Sequence, residues 1–280
     1  MNVVQTAVKV QPDIREIIFA GMNGRQFSAE IVAERDGIVA GIARLRAALA
    51  EAGIGAELLR VDGGAVKAGS VVGRITGSAM QIAIAEEFAI GKLAKSSGIA
   101  TAAHQAVRLA GGEMKIVCGA WKKMPAEIKS VVREAIVCGG AAFRISDQPF
   151  LYLDKNFVRM LGGIEATLNA VAPIHHKLRV IQLKGEFAGI AQEAILAVTH
   201  GADILMIDTG NLADLEAANK VLEAKGLRQQ VKLAFAKGVR LRDIAAMKGL
   251  GIDILDIGSE IVDAPLLDMK MDVRGVSSCN

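Results

Sequence analysis

The sequence predicts an α/β protein whose second half forms a parallel barrel. From Lys115 onward, short aliphatic runs alternate with segments of helical periodicity, which is typical of successive right-handed βαβ units. Of the residues, 52% are hydrophobic but only 4% are aromatic, and an aliphatic core of this kind suits buried parallel strands covered by helices. Because the chain has no GxGxxG fingerprint, a closed barrel is favoured over a Rossmann-type sheet.

Composition and charge argue against several other classes of protein. Lysine and arginine number 33 against 30 acids, and a net charge of +3 is too balanced to indicate nucleic-acid binding. No apolar run is long enough to span a bilayer. The first 20 residues mix charged and apolar side chains, unlike a secretory signal, so we expect a cytoplasmic protein. Cys118, Cys138 and Cys279 share no metal or redox spacing and are expected to be small buried or stray thiols.

The first part of the chain is predicted to be a mixed domain of about 110 residues. Its expected elements are a strand at 28–34, a helix at 37–52, a strand at 56–61, a glycine-punctuated β-rich stretch at 62–79, a helix from Ser78 to about Lys95, and a further helix starting near Gly98. After it come the strands and helices of the predicted barrel. The strands are Lys115–Cys118, Ala142–Ile145, Leu151–Leu153, Leu178–Leu183, Ile204–Ile207, Val231–Phe235 and Ile254–Ile257. The helices are Ala126–Val137, Gly163–Val171, Phe187–Thr199, Leu212–Ala224 and Leu241–Lys248, with Gly201, Gly226 and Gly249 as C-caps.

Lysines recur just after the predicted strands, where parallel barrels place their active sites. The strand ends carry Trp121, Lys122, Lys123, Arg144, Asp154, Lys155, Gln182, Lys184, Asp208, Lys237, Gly238, Gly258 and Ser259. The excess of cations predicts a small anionic ligand such as a carboxylate or phosphate. Backbone N–H groups at Lys237-Gly238 and Gly258-Ser259 are candidates for phosphate binding. Solvated turn lysines, and a Trp121 that only packs, are the alternatives left open.

Five segments resemble the quinolinate phosphoribosyltransferase family, also called nicotinate-nucleotide pyrophosphorylase. They are AEIVAERDGIVAG at 29–41, DGGAVKAGSVVGRITGSA at 62–79, SGIAT at 97–101, GAWKKMP at 119–125 and CGGAAFR at 138–144. The resemblance covers nearly the whole chain. It implies an N-terminal α/β sandwich domain at 1–112, joined by the C-terminal segment 268–280, and an irregular TIM-like α/β barrel at 113–267. It also implies a homodimer or an assembly of dimers, in which the first domain of one subunit caps the barrel of the other.

The same resemblance implies an activity and a set of site residues. The family joins quinolinate to phosphoribosyl pyrophosphate with magnesium and releases pyrophosphate and carbon dioxide. Lys122, Arg144 and Asp208 fall on family catalytic positions, and Asp208 also on a metal-linked or ribose-linked one. Trp121, Lys123, Asp154, Lys155, Gln182 and Lys184 fall around the expected substrate site.

Several of these positions depart from the family pattern. Glu87 and Trp121 replace arginines, Phe143 replaces a histidine, and the family's Lys-Asp-Asn-His reads Asp-Lys-Asn-Phe from Asp154. Gln182 and Lys184 replace acids. Each charge-assisted pair lost to a dicarboxylate costs roughly 1.5–3 kcal/mol. Three hypotheses therefore stay open: a phosphoribosyltransferase-like enzyme with an altered anionic or heterocyclic substrate, a non-catalytic relative that binds a metabolite or a partner protein, and an authentic quinolinate enzyme.

Overall fold

A computed structural model of the chain describes residues 13–278, which begin with a small antiparallel sheet. Four strands form this sheet in the order β12-β1-β5-β3, where β1 is Arg25–Ala33, β3 is Gly55–Leu58, β5 is Val71–Gly77 and β12 is Met269–Ser278. Alternate β1 side chains (Ala29, Ile31 and Ala33) are fully buried. They pack with Leu45 and Leu49 of α2 (Ile42–Glu51). Because every second side chain of a strand points to the same side, these residues form one face of the first hydrophobic core. A short ribbon of β2 (Gly37–Ile38) and β4 (Ala65–Val66) flanks the sheet, and α1 (Ile14–Ile18) precedes it.

The second sheet is parallel and has six strands in the order β6-β11-β10-β9-β8-β7. The strands are β6 (Lys115–Val117), β7 (Phe150–Leu153), β8 (Leu178–Leu183), β9 (Ile204–Ile207), β10 (Lys232–Ala236) and β11 (Ile254–Asp256). The helices between them are α4 (Lys129–Cys138), α5 (Lys155–Leu161), α6 (Ile164–Val171), α7 (Ile190–Thr199) and α8 (Leu212–Ala224), and α9 (Ser259–Val262) follows β11. This confirms the predicted α/β fold with a TIM-like second part. The predicted domain limits stay a prediction.

Side chains on the parallel strands alternate between two cores. In β9, Ile204 and Met206 face an inner cluster, while Leu205 and Ile207 pack under the helices. The inner cluster also contains Val180, Ala234 and Ile254 from the neighbouring strands. A residue two places beyond an inward residue therefore faces the inside of the barrel, and this rule decides which strand-end residues reach the site.

One helix links the two halves. We expected two helices with a break near Gly98, but α3 runs without interruption over Ala79–Ala110. It begins with a capping box between Ser78 and Gln81 and ends at Gly111, which is left-handed. Gly98 lies inside the helix because Pro265 crosses there: a Cβ at position 98 would come 2.0 Å from the Pro265 carbonyl oxygen.

Three further predictions of secondary structure were wrong. Ala142–Ile145 is not a strand; Ala142 makes only an isolated parallel bridge to Val117, because Ala141 emerges from a turn at Gly139-Gly140 and Phe143 turns away into the site. The predicted α-helix at Leu241–Lys248 is a 3-10 helix at Leu241–Met247. The first helix begins at Ile42 and not at 37, since the Asp62 carboxylate accepts hydrogen bonds from the amides of residues 41–43 and fixes its start there.

Other features of residues 13–278 bear on the sequence predictions. No helix in this part of the chain is both long enough and apolar enough to cross a membrane. Cys118 is buried, and burial raises the pKa of its thiol to about 12; Cys138 is half-buried, and Cys279 lies outside the described residues. Gly201 and Gly226 adopt left-handed φ angles just after α7 and α8.

Candidate active site

A cleft of about 1160 Å³ opens at the carboxyl ends of the parallel strands. All the site residues expected from the sequence line this strand-end cleft: Trp121, Lys122, Lys123, Arg144, Asp154, Lys155, Gln182, Lys184, Asp208, Lys237, Gly238, Gly258 and Ser259. They come from segments as far apart as residues 121 and 259, so the barrel topology alone brings them together. The individual roles assigned to these residues stay predictions.

An aromatic wall forms one side of the strand-end cleft. The indole N–H of Trp121 donates to the Phe143 carbonyl oxygen at 2.7 Å, and the two rings meet edge to face with centroids 5.9 Å apart. The Arg133 guanidinium lies 5.0 Å from the Trp121 ring centroid and also lines the cleft. Sequence reasoning missed Arg133, although it lies only about one turn into α4, the helix that follows the first strand of the barrel. Arg133 thus provides an arginine beside Trp121, the position at which the family resemblance implies that an arginine has been replaced.

Two further cations lie over aromatic rings near the strand ends. The Lys122 ammonium is 4.8 Å from the Tyr152 ring centroid, and the Arg144 guanidinium is 5.3 Å from that of Phe150. Both basic side chains are exposed to solvent. Aromatic faces hold these cations without neutralising them, so their charge stays available to an anion in the cleft.

Asp208 is engaged by its neighbours on the strand before it. Its carboxylate accepts a hydrogen bond from the Gln182 amide, and the Lys184 ammonium contacts both the Asp208 backbone carbonyl and, at 3.4 Å, the carboxylate. Gln182 in turn accepts from the Lys155 backbone N–H at 2.7 Å. Residues 182, 184 and 208 thus form one polar network across β8 and β9.

This network does not fit a metal held by Asp208. An ammonium group already lies where a cation would bind, and no cluster of three or more acidic, histidine or cysteine side chains suited to a metal occurs in residues 13–278. The suggested metal role of Asp208 therefore finds no support in its surroundings, and we derive no step through a protein-held magnesium ion.

The remaining strand ends present backbone groups to the strand-end cleft. Asp154 caps α5 by accepting from the amides of Asn156 and Phe157, at 2.7 and 3.2 Å. Lys237 has a left-handed φ of 80°, unusual for a residue with a side chain, and Gly238 follows with φ 73°. Strained backbone of this kind is concentrated at functional sites, which supports the prediction that this turn contacts a ligand.

Glu193 holds the loop that carries Lys184. Its side chain is 1% exposed and accepts hydrogen bonds from the backbone N–H groups of Lys184, Gly185 and Phe187. The acid lies on α7 rather than at a strand end, so the strand-end rule could not identify it. A buried glutamate on the inner face of a helix was the only available signal.

Asp256 is the principal residue that sequence reasoning missed. It ends β11, lines the strand-end cleft, and accepts a hydrogen bond from the Gly119 backbone N–H at 2.9 Å. Burial raises the pKa of its carboxyl group, opposed by the Gly119 hydrogen bond and by the charge of Lys122. The alternation of inward and outward residues would have identified it, because Asp256 lies two places after the inward Ile254 just as Asp208 lies two after Met206.

Glu87 lies away from the strand-end cleft of its own chain. Its carboxylate forms a 2.7 Å ion pair with Arg15 of α1, which also pairs with Asp13. Neither Glu87 nor Glu86 lines the cleft.

Comparisons with known proteins match the chain over nearly its whole described length. The model of the quinolinate phosphoribosyl transferase N-terminal domain matches residues 13–97, and that of the C-terminal domain matches residues 99–272. A probable nicotinate-nucleotide pyrophosphorylase [carboxylating] of Archaeoglobus fulgidus is 29% identical over 251 residues, covering 89% of this chain and 95% of the relative. The human nicotinate-nucleotide pyrophosphorylase [carboxylating] is 29% identical over 203 residues, which cover 71% of this chain and 66% of the human protein.

Solved structures share the fold. The nicotinate-nucleotide pyrophosphorylase from Francisella tularensis superposes with a TM-score of 0.80 at 20% identity, covering 95% of this chain and 91% of that one. The Pyrococcus furiosus protein of the same name gives 0.79 at 18% identity, covering 99% and 79%. With both family domain models matched in order along one polypeptide, this chain belongs to the quinolinate phosphoribosyl transferase family.

Proposed function

We propose that this protein is a phosphoribosyltransferase that uses phosphoribosyl pyrophosphate and an anionic or heterocyclic acceptor other than quinolinate. The observation that carries the proposal is the convergence of cations in the strand-end cleft. Lys122, Lys123, Arg144, Lys155, Lys184 and Lys237 all line it. A concave site with this many cations from separate strands is suited to a ligand that bears several phosphate oxygens.

Family membership supports the choice of donor. The relatives that match the chain are named nicotinate-nucleotide pyrophosphorylases, and the family model is named for phosphoribosyl transfer. The chemistry of such a transfer requires positive charge and backbone donors where the pyrophosphate leaves. Lys122 and Arg144 can contact the departing phosphates, while the turn at Lys237-Gly238 can direct backbone N–H groups to an anion.

The residues around the aromatic wall support a different acceptor. Trp121 and Phe143 stand where the family resemblance places an arginine and a histidine, and they are locked to each other by a hydrogen bond and ring contact. Asp154 adds a carboxylate to the same cleft. A dicarboxylate would lose charge-assisted bonds and meet new negative charge, whereas a flat ring with fewer carboxylates can lie against the Trp121 face.

A non-catalytic relative is the second candidate, and the Asp208 network favours it. That carboxylate is already bonded to Gln182 and Lys184, which leaves it less free to act on a ribosyl group. A chain of this kind would bind an anionic metabolite in the strand-end cleft without turnover.

The test separates binding from catalysis. Phosphoribosyl pyrophosphate with magnesium should raise the melting temperature, because a ligand that binds only the native state stabilises it by mass action. Pyrophosphate release is then measured against a panel of aromatic acids and nitrogen heterocycles that includes quinolinate. Stabilisation with release supports the enzyme, stabilisation without release for any acceptor supports the non-catalytic relative, and no stabilisation refutes the proposed donor.

A further inference from the structure

We propose that Asp256 is a specificity-determining residue that selects an acceptor presenting an N–H or amino group and rejects one presenting a second carboxylate. The inference rests on the proposed function, because it concerns the acceptor half of the same reaction. It assigns the substrate class as a nitrogen heterocycle with a hydrogen-bond donor on one edge and at most one carboxylate.

The position of Asp256 follows from the register of the barrel. In β11, Ile254 faces the inner cluster, and Asp256 is therefore the next inward residue and stands just above that apolar floor. It pairs in register with Ala236 of β10 on one side and Val117 of β6 on the other, both of which line the strand-end cleft. Because alanine and valine are apolar, the carboxylate is the polar group that this part of the floor offers to a ligand.

Close packing fixes the carboxylate at that point. One of its oxygens accepts the Gly119 amide proton at 2.9 Å. A Cβ added at position 119 would lie 2.8 Å from the other oxygen, so the carboxylate packs against a bare backbone. A carboxylate that is hydrogen-bonded to the Gly119 backbone and packed directly against it presents its remaining lone pairs in a preferred direction, which is what selection between ligands requires.

The other strand-end acids are committed elsewhere, and Asp256 is not. Asp154 caps α5, and Asp208 is bonded to Gln182 and Lys184. Within residues 13–278, no lysine or arginine nitrogen lies within ion-pair distance of Asp256; the nearby Lys122 ammonium lies over the Tyr152 ring instead. Among the described residues only the Gly119 amide donates to Asp256, so most of the hydrogen-bonding capacity of its carboxyl group is left for a ligand.

The physical consequence is a preference by type of group. Asp256 is half-buried and forms no direct ion pair within the described residues, so an N–H donor stabilises its charged form, whereas a second carboxylate at the same point repels it. Sites built to bond a polar group on the substrate discriminate strongly against analogues that lack it. The Asp256 carboxylate at the bottom of the cleft would thus allow a site with many cations to exclude a dicarboxylate.

The test compares Asp256→Asn with the wild-type full-length chain. Asparagine keeps an oxygen that can accept from Gly119, so the fold is expected to be retained, and it removes the negative charge. Binding of adenine, cytosine, nicotinamide, nicotinate and quinolinate is measured by calorimetry, with and without phosphoribosyl pyrophosphate, and pyrophosphate release gives kcat and KM. Asp263→Asn is the matched control, because Asp263 is an exposed acid at the rim of the same cleft.

The wild-type chain should bind at least one donor-bearing heterocycle in preference to quinolinate. Asp256→Asn should weaken that binding roughly 10–100-fold and narrow the preference, while Asp263→Asn leaves it unchanged. Binding of phosphoribosyl pyrophosphate should change little in either variant. If the ratio of affinities is the same in Asp256→Asn and wild type, or no donor-bearing heterocycle binds while the phosphoribosyl donor does, the inference is overturned. Failure of the phosphoribosyl donor to bind would refute the proposed function instead, and the ligand ratio would still test Asp256.

Discussion

Lys122 and Arg144 reach the strand-end cleft from different segments, and each holds its charge over an aromatic face. Truncating either should remove charge-assisted bonds to a bound phosphate. We expect Lys122→Ala and Arg144→Ala each to weaken binding of phosphoribosyl pyrophosphate, or of inorganic phosphate used as a probe, by about 1.5–3 kcal/mol. Calorimetric titration of each variant measures the change.

The control for these variants is Lys177→Ala. Lys177 is an exposed lysine in the loop that enters β8, at the opposite end of the strands from the cleft. The Lys177→Ala substitution removes the same charge from the molecule as a whole, so a general electrostatic effect on anion binding would also appear in this variant. Equal weakening in all three variants would contradict an anion site formed by Lys122 and Arg144.

Turnover of quinolinate should be absent or very weak. Trp121, Phe143 and Asp154 all line the strand-end cleft. By the family resemblance they fall at positions where an arginine, a histidine and a lysine are expected, so we expect a dicarboxylate to be bound poorly. Formation of nicotinate mononucleotide from quinolinate and phosphoribosyl pyrophosphate is followed in a coupled assay. If nicotinate mononucleotide forms from quinolinate at a rate typical of an enzyme, the altered-substrate proposal is wrong and the protein catalyses the quinolinate reaction itself.

Site residues that directly follow a strand could be predicted from the sequence. Asp208 was identified because it comes right after a buried run of four apolar residues. Asp256 was missed because it lies inside the predicted strand Ile254–Ile257, and only knowledge of which face points inward marks it as a site residue. Arg133 and Glu193 lie on helices. Helix packing brings Arg133 to the cleft wall and Glu193 to the loop that carries Lys184, and no local sequence pattern specifies that packing.

At the scale of single elements, the long helix α3 gives a matched pair of glycine substitutions. A methyl group at Gly98 would collide with the Pro265 carbonyl, whereas nothing lies within 4 Å of one at Gly91. Alanine gains about 1 kcal/mol over glycine in a helix interior. We expect Gly91→Ala to stabilise the protein by about 0.5–1 kcal/mol and Gly98→Ala to destabilise it by about 1–2 kcal/mol, since overpacking outweighs the propensity gain.

Urea unfolding of the two variants measures this difference. Both substitutions make the same chemical change in the same helix, so their opposite signs isolate the contact with Pro265. A stabilised Gly98→Ala protein would show that the 265–267 segment shifts away at little cost, and that the close approach does not explain the glycine.

The same helix shows why some elements were predicted wrongly. A glycine inside an apolar helical pattern reads locally as a break, but here it permits a crossing with a segment 167 positions later in the chain, at Pro265. Ala142–Ile145 has the composition of a strand, yet the glycine turn before it and the Trp121–Phe143 contact after it leave only one bridged residue. In both cases a long-range contact overrides a local preference.

At the scale of the whole molecule, α3 couples the two cores. Ile82, Ala85 and Leu93 pack against the antiparallel sheet, while Ile99 and Ala103 further along the helix pack on the barrel. The last strand, β12, returns to pair with β1, so the chain closes the first sheet only after the barrel is complete. The general α/β plan was predictable from periodicity, but no local pattern specifies this closure, because it depends on pairing between residues about 240 positions apart. Only the family resemblance led us to expect that the C-terminal segment 268–280 joins the first domain.

We expect the protein to be a dimer or an assembly of dimers. Two groups of apolar side chains are left uncovered in the single chain: Ile14, Ile17 and Ile18 on α1, and Phe157, Met160 and Leu161 on α5. Ile17 is 69% exposed and Met160 75%, which is unusual for grouped large apolar residues on a monomer. Because Asp154 lines the strand-end cleft and caps α5, a partner that covers α5 would also border the cleft.

Light scattering at micromolar concentration measures the mass of the protein in solution. Charged substitutions at the centre of each group, Ile17→Glu and Met160→Glu, should shift the equilibrium toward the monomer, because a buried unpaired carboxylate opposes association. Ile174→Glu is the control, as Ile174 is a 40% exposed apolar residue in the loop that leads into β8 and belongs to neither group. A wild-type chain that is strictly monomeric at this concentration would contradict the prediction. A dimer that is unaffected by Ile17→Glu and Met160→Glu would place the interface on another surface and separate association from the cleft.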